Sequence, residues 1–175
     1  MVPHHDLEEV LTQIQDSGQT PLLVALDQVS DVRNFGAIAR SAECMGAQAL
    51  IIGQEGAARI NADAIKVSVG ALNYLPVVRV LHLQDMVMLA QSFGIQVVGM
   101  SEKAADTIYE ADLTQPTILV MGSEEKGISK RILNSSDKLV KIPMQGNIHS
   151  LNVSVATGMA LSEALRQRLG STKDA

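Results

Sequence analysis

Ile142-Pro143-Met144-Gln145-Gly146-Asn147-Ile148-His149-Ser150-Leu151-Asn152 joins the end of a hydrophobic strand to a run of helical periodicity, Val153 to Arg168. From Leu151 the apolar residues Val155, Met159 and Leu165 recur at helical spacing, and Val153, Ala156, Ala160, Leu161 and Ala164 widen the stripe. This helix is therefore expected to pack one broad face inward. Strand, polar loop and packed helix in that order form one unit of an α/β fold, with the loop pinned at both ends. Ser150 and Asn152 stand where loop becomes helix, where backbone N–H groups lack intrahelical partners and electron-rich ligand groups are accommodated. Most serines in such a place only cap the helix. A cap needs one small polar residue, whereas this loop carries Gln145, Asn147, His149, Ser150 and Asn152 between apolar flanks.

The same alternation extends back through the chain. Asp6 to Ile14 reads as a short amphipathic helix ended by Gly18, with His4 and His5 as its lead-in. Leu22-Leu23-Val24-Ala25-Leu26 is a continuous aliphatic run between Pro21 and Asp27, which suits a strand covered on both faces. A helix from Phe35 to Met45 follows, with Asn34 as its cap, then a strand at Ala49 to Ile52. Asn61 to Val69 reads as helix, Pro76 to Val80 as strand, Leu83 to Phe93 as helix and Ile95 to Gly99 as strand. Ala104 to Gln115 is irregular; Thr117 to Met121 is a buried strand, Ser129 to Asn134 a short helix, and Lys138 to Ile142 a strand nearer an edge. Strands alternating with helices predict an α/β fold: a mostly parallel sheet flanked by helices. Residues 1–20 are expected to be a helical lead-in, 21–169 one domain and 170–175 a loose tail.

Composition agrees with one domain. The 175 residues are 46% hydrophobic but only 2% aromatic, so Val, Ile, Leu, Ala and eight Met must fill the core. A formal charge of −5 gives no overall attraction to polyanions. The single cysteine, Cys44, excludes an internal disulfide and fits a reducing compartment; within an apolar helical run it is expected to be a small buried hydrophobe. No uninterrupted apolar run of eighteen residues and no basic-then-apolar leader is present, so a cytoplasmic protein without a membrane contact is expected.

In parallel sheets ligands bind beyond the carboxyl ends of the strands. Four such ends are polar or glycine-rich here: Asp27 to Gly36, Gly99-Met100-Ser101, Gly122 to Gly127, and Ile142 to Asn152. Gly122-x-x-x-x-Gly127-Ile128-Ser129 departs from a phosphate loop, because Ile128 stands where a lysine must reach the phosphates and Glu124 and Glu125 would repel them. No G-x-G-x-x-G follows a strand. Asn34-x-Gly36-x-x-x-Arg40 starts a helix, with both polar residues expected to face one strand-end cleft. Singly, Asn34 reads as a cap, Glu124 as a solvated loop acid and Arg40 as a surface charge.

Together, Asn34-Phe35-Gly36-Ala37-Ile38-Ala39-Arg40-Ser41-Ala42, Leu119-Val120-Met121-Gly122-Ser123-Glu124-Glu125-Lys126-Gly127, and Ile142-Pro143-Met144 with Ser150-Leu151-Asn152-Val153-Ser154-Val155-Ala156 closely resemble the three ordered motifs of the SpoU family of RNA ribose 2′-O-methyltransferases. The resemblance runs from about Leu22 to Arg168, and the Ser-Leu-Asn-Val-Ser-Val-Ala-Thr-Gly run with the terminal Arg-Gln-Arg is most similar to the members that methylate a guanosine of 23S ribosomal RNA. It implies a C-terminal deep trefoil knot, an S-adenosyl-L-methionine pocket formed by that knot, and a homodimer in which each active site is completed by the neighbouring subunit. Gly122, Ile142, Met144 and Leu151 match positions lining the cofactor pocket. Gly99 and Met100 stand at a strand end that borders the adenosine in relatives, although a Thr would be expected there. Asn34, Arg40, Glu124, Ser150 and Asn152 match the catalytic and substrate-positioning set.

The resemblance implies that Asn34 and Asn152 orient ribose and phosphate, Ser150 bonds near the reacting centre, and Glu124 positions Asn34 or a partner-chain group. A guanidinium is effectively always protonated, so Arg40 is expected to stabilise the developing 2′-alkoxide or grip the adjoining phosphate. No metal is required. Relatives specific for ribosomal RNA commonly carry an N-terminal RNA-binding domain; this chain starts almost directly at the catalytic part, as an excised domain or a minimal member would. A tRNA ribose methyltransferase, or a catalytically silent knotted module for RNA binding or ribosome assembly, is the alternative.

Overall fold

The computed structural model describes residues 6–54 and 62–172. In chain order they form α1 (Leu7–Asp16), β1 (Leu22–Asp27), α2 (Val32–Cys44), β2 (Ala49–Gly53), α3 (Ala62–Val67), β3 (Val77–Val80), α4 (Leu83–Ser92), β4 (Gln96–Met100), β5 (Asp106–Thr107), β6 (Thr117–Gly122), α5 (Lys130–Ser135), β7 (Lys138–Lys141) and α6 (Val153–Thr172), with 3₁₀ turns at Ala71–Asn73 and Ile108–Glu110. The seven strands make one parallel sheet in the order β3-β2-β1-β6-β4-β7-β5.

β1 explains why the sheet needs two helical layers. All six of its residues are buried, and because successive side chains leave a strand on opposite faces, Leu22, Val24 and Leu26 join one core while Leu23 and Ala25 join the other. The first core lies under α2 and α6 through Phe35, Ile38, Leu161 and Ala164. The second lies under α1, α4 and α5 through Leu11, Met86 and Ile132. α3 packs on α2 at Gly36, where a Cβ would stand 2.7 Å from the Ala64 carbonyl oxygen.

Several expectations need correction. α2 begins at Val32 and its cap is Asp31, whose carboxylate accepts from the Arg33 and Asn34 amides at 2.8 and 3.0 Å; Asn34 therefore lies in the first turn, its side chain released from capping. Cys44 ends α2 on the exposed side. β7 lies near the edge as expected, and what the reading lacked is the two-residue β5 beyond it, an element too short to show periodicity in the irregular 104–115 segment. α6 continues through residues read as a loose tail; 173–175, like His4, His5 and Asn61, lie outside the described residues.

The inward face of α6 also differs. Val153, Thr157, Ala160, Leu161 and Ala164 are buried, whereas Val155 and Met159 are 51% and 42% exposed. The helix is apolar over a wide arc, so periodicity alone could not choose the stripe that α2 and the sheet cover. Among the described residues no helix is long and apolar enough to cross a membrane.

Candidate active site

A cleft of about 970 Å³ opens beyond the carboxyl ends of β4, β6 and β7. Three segments build it: the residues after β4, the 122–128 loop after β6, and the 141–151 segment after β7. Met100, Gly122, Ile142, Met144 and Leu151 all line it, and so do Glu124 and Ser150. Met121 and Ile128 add to its apolar wall. Glu102, Glu124 and Glu125 face Lys103, Lys126 and Lys141 around the cleft, so neither sign of charge prevails there.

The 122–128 loop is held in a tight turn. Ser123 pairs with Gly127 in an isolated antiparallel bridge, the Gly127 amide donates to the Ser123 carbonyl at 2.8 Å, and the Lys126 amide donates to Ser123 Oγ at 3.0 Å. Gly127 has φ +64°, a conformation glycine adopts without steric cost. Gly122 is required for a different reason: a Cβ there would lie 2.2 Å from the Gly127 carbonyl carbon and 2.4 Å from the Ile128 nitrogen. The loop folds back onto its own entry, leaving room only for hydrogen.

Glu124 is exposed, yet its Oε1 accepts from the Val153 amide at 3.1 Å. It thus satisfies the first N–H of α6 and joins the second motif to the third; its contact is with α6 and not with Asn34. Asn34 is reached by Asn152, whose Nδ2 donates to Asn34 Oδ1 at 3.0 Å. Asn152 is also the cap of α6: its Oδ1 accepts from the Ser154 and Val155 amides at 2.9 and 3.3 Å and from the Ser154 hydroxyl. With these N–H groups satisfied by Asn152 and Glu124, capping falls to residues other than Ser150, which stands exposed in the cleft wall with His149.

Four expected residues, Asn34, Arg40, Gly99 and Asn152, are absent from the cleft lining; Asn152 stands between the lining residues Leu151 and Val153 and holds Asn34 beside them, whereas the other two lie further off. Gly99 lies within β4, and a Cβ there would meet Leu139 Cδ2 at 2.9 Å and Ile128 Cδ1 at 3.4 Å, so its open side is filled by protein. Arg40 is exposed on α2 and stands apart from the cleft lining. Six positions along a helix of 3.6 residues per turn rotate it about 120° from Asn34, which corrects the reading of one shared face. Sequence reasoning missed Lys103, Thr107 and Lys141; the only signal available for them was their place after β4 and around β7.

The far end of α6 is anchored independently. Arg168 donates to four carbonyls: Leu113 from Nε at 2.9 Å, Thr20 from Nη1 at 3.0 Å, and Pro21 and Gln115 from Nη2 at 2.8 and 3.0 Å. Burial pushes its guanidinium below the usual arginine range. Gln167 donates to the Ala111 carbonyl at 3.0 Å and accepts from the Leu113 amide at 2.8 Å. Arg168 therefore fastens α6 to the residues just before β1 and β6, and Gln167 fastens it to the 111–113 segment.

The family model described as the SpoU rRNA methylase family matches residues 21–162. The 23S rRNA (guanosine-2′-O-)-methyltransferase RlmB of Photorhabdus laumondii is 44% identical over 164 residues, covering 94% of this chain and 66% of the relative. The chain thus spans a little under two thirds of that protein's length. Among solved structures, the SpoU methyltransferase AviRb of Streptomyces viridochromogenes in complex with AdoMet superimposes with a TM-score of 0.85 at 34% identity, over 96% of this chain and 66% of that one. The TrmH/SpoU tRNA modifying enzyme of A. aeolicus gives 0.80 at 34% identity, over 95% of this chain and 86% of that one.

Proposed function

The chain belongs to the SpoU rRNA methylase family, and we propose that it transfers a methyl group from S-adenosyl-L-methionine to a ribose 2′-hydroxyl of RNA, with a guanosine of 23S ribosomal RNA as substrate. The observation that carries this is the single cleft in which Gly122, Glu124, Ile142, Met144, Ser150 and Leu151 converge from two motifs far apart in sequence. The residues present suit the donor. Met100, Met121, Ile128, Ile142 and Leu151 offer an apolar wall to an uncharged purine, and neighbouring lysines and glutamates can pair with the carboxylate and ammonium of its amino-acid end.

Bound there, S-adenosyl-L-methionine supplies an electrophilic methyl group on a sulfonium. The chain's own residues orient the acceptor: the Asn34–Asn152 pair fixes two amides at the start of α6, and Ser150 presents a hydroxyl in the cleft wall. Holding oxygen and methyl in line accounts for much of the rate of such a displacement. Arg40 stabilises the alkoxide or grips the adjoining phosphate. Because it stands apart from its own cleft, it serves the cleft of a second copy.

That assignment goes with a homodimer. Val155, Met159 and Leu169 are 51%, 42% and 57% exposed and share one face of α6, spaced by four and ten residues. A second subunit would cover them. The C-terminal segment is proposed to thread a preceding loop as a deep trefoil knot, an arrangement otherwise nearly absent from proteins. Residues 21–169 would be the catalytic unit of a cytoplasmic enzyme.

Incubation with labelled S-adenosylmethionine and separated rRNA and tRNA, followed by mapping of ribose methylation, tests this reading. Label in 23S rRNA guanosine supports it. Label in tRNA alone would favour the second reading, a tRNA ribose methyltransferase, which the similarity over 86% of the A. aeolicus tRNA modifying enzyme keeps in view. Cofactor binding without transfer to either RNA would favour a silent RNA-binding module.

A further inference from the structure

Asp27 is a charged residue with 8% exposure at the end of β1, and none of the chemistry above uses it. Its Oδ2 accepts from the Ser129 amide at 2.7 Å, across 102 residues of sequence. Its backbone stands in register with Gly122 at the parallel β1–β6 pairing. Asp27 therefore touches the 122–128 loop at both ends, by sheet register at the entry and by its carboxylate at the exit.

The loop between those points bonds mainly to itself, through the Ser123–Gly127 bridge and the Ser123 hydroxyl, and to α6 through Glu124. A self-bonded turn can move as a unit unless its ends are fixed. A buried carboxylate accepting a backbone N–H makes a charge-assisted bond of the stronger kind, and burying that charge is costly unless it is so used. The carboxylate also binds where the loop gives way to α5, so its bond holds the exit of a loop whose residues 122–128 line the cleft.

We propose that Asp27 is a positioning residue for the cleft: it fixes the 122–128 loop in the orientation that receives S-adenosylmethionine, without touching the ligand. This rests on the reading of the cleft as the methyl-donor site. Two variants test it, Asp27→Ala, which removes the acceptor, and Asp27→Asn, which keeps an acceptor of the same size without charge. Calorimetry with S-adenosylmethionine, amide hydrogen exchange of residues 123–128 and a thermal melt are measured on each.

Asp27→Ala is expected to lower donor affinity about tenfold or more and to speed exchange in the loop, as losing a hydrogen bond to a charged group does. Asp27→Asn should lie between wild type and Asp27→Ala in both. A folded Asp27→Ala with wild-type affinity and exchange overturns the proposal. If Asp27→Ala does not fold, an Asp27→Asn that melts earlier but binds the donor like wild type also overturns it, since Asp27 would then serve stability alone. A wild-type protein that fails to bind S-adenosylmethionine refutes the donor reading, and faster loop exchange in the variants would still reveal the clamp.

Discussion

Asn152 donates from Nδ2 to Asn34 Oδ1 at 3.0 Å while its own Oδ1 caps α6 through the Ser154 and Val155 amides. One side chain thus performs a structural task with its oxygen and a site task with its nitrogen. The two separate in Asn152→Ser, because serine is about as good a cap as asparagine but is too short to reach Asn34. Asn152→Ser should melt close to wild type and lose turnover by about tenfold or more. Asn152→Ala should also lose about 1 kcal/mol of stability. Full turnover in Asn152→Ser would remove the pair from the acceptor site.

The two glycines of the β6 loop should respond differently to alanine. Gly127 has φ +64° with open space around its missing Cβ, so Gly127→Ala costs only the left-handed strain, about 1–2 kcal/mol. Gly122→Ala puts a methyl 2.2 Å from backbone, and the loop must move. Donor affinity should fall far more in Gly122→Ala than in Gly127→Ala, read by calorimetry on folded protein. Equal losses would mean that strain, not displacement of the loop, governs binding.

Glu163 should make stability depend on acid pH. It is buried on α6 and accepts from Arg166 Nε and Nη2, both at 2.8 Å, and from Gln167 Nε2 at 3.0 Å. The Arg166 hydrogen bonds hold its carboxyl below the ordinary value of 4.5. A carboxylate with a depressed folded value stabilises fully above the unfolded value and loses that contribution as pH falls through the folded one. Glu163→Gln should therefore be less stable than wild type at neutral pH, with the gap narrowing below about pH 4.5. Urea denaturation across this range decides it; a gap independent of pH would show that the ionised pair contributes nothing.

How much of this could be read in the chain depended on whether a constraint was local. β1 was legible because a strand covered on both faces must be aliphatic throughout, and Leu22 to Leu26 is. Asn34 was misread as a cap because Asp31, three residues earlier, accepts from the Arg33 and Asn34 amides and starts the helix almost a turn sooner. The face of α6 was ambiguous because Val155 and Met159 are as apolar as Leu161; only the position of α2 selects between them. Asp27 looked like a strand terminator, since a charge at the end of an aliphatic run ordinarily meets water. Its partner, the Ser129 amide, is 102 residues away and leaves no mark in side-chain pattern.

Arg40 gives the sharpest test of a shared site. It is exposed, about 120° around α2 from Asn34, and stands apart from the lining of its own cleft. If a second copy brings its cleft to Arg40, Arg40→Ala should leave donor affinity and melting unchanged and lower turnover by about a hundredfold or more, as loss of one charge stabiliser does. Arg40→Lys should rescue little, because lysine keeps the charge without the planar fork. Mixing Arg40→Ala with a donor-site variant such as Gly122→Val then discriminates the geometries. Each homodimer is inactive, but in half of the two composite sites of a heterodimer an intact Arg40 meets an intact cleft, so activity should return. With subunit exchange confirmed by light scattering or tagged capture, continued inactivity would place Arg40 beside the donor of its own chain, and the loop carrying α2 would have to move to bring it there.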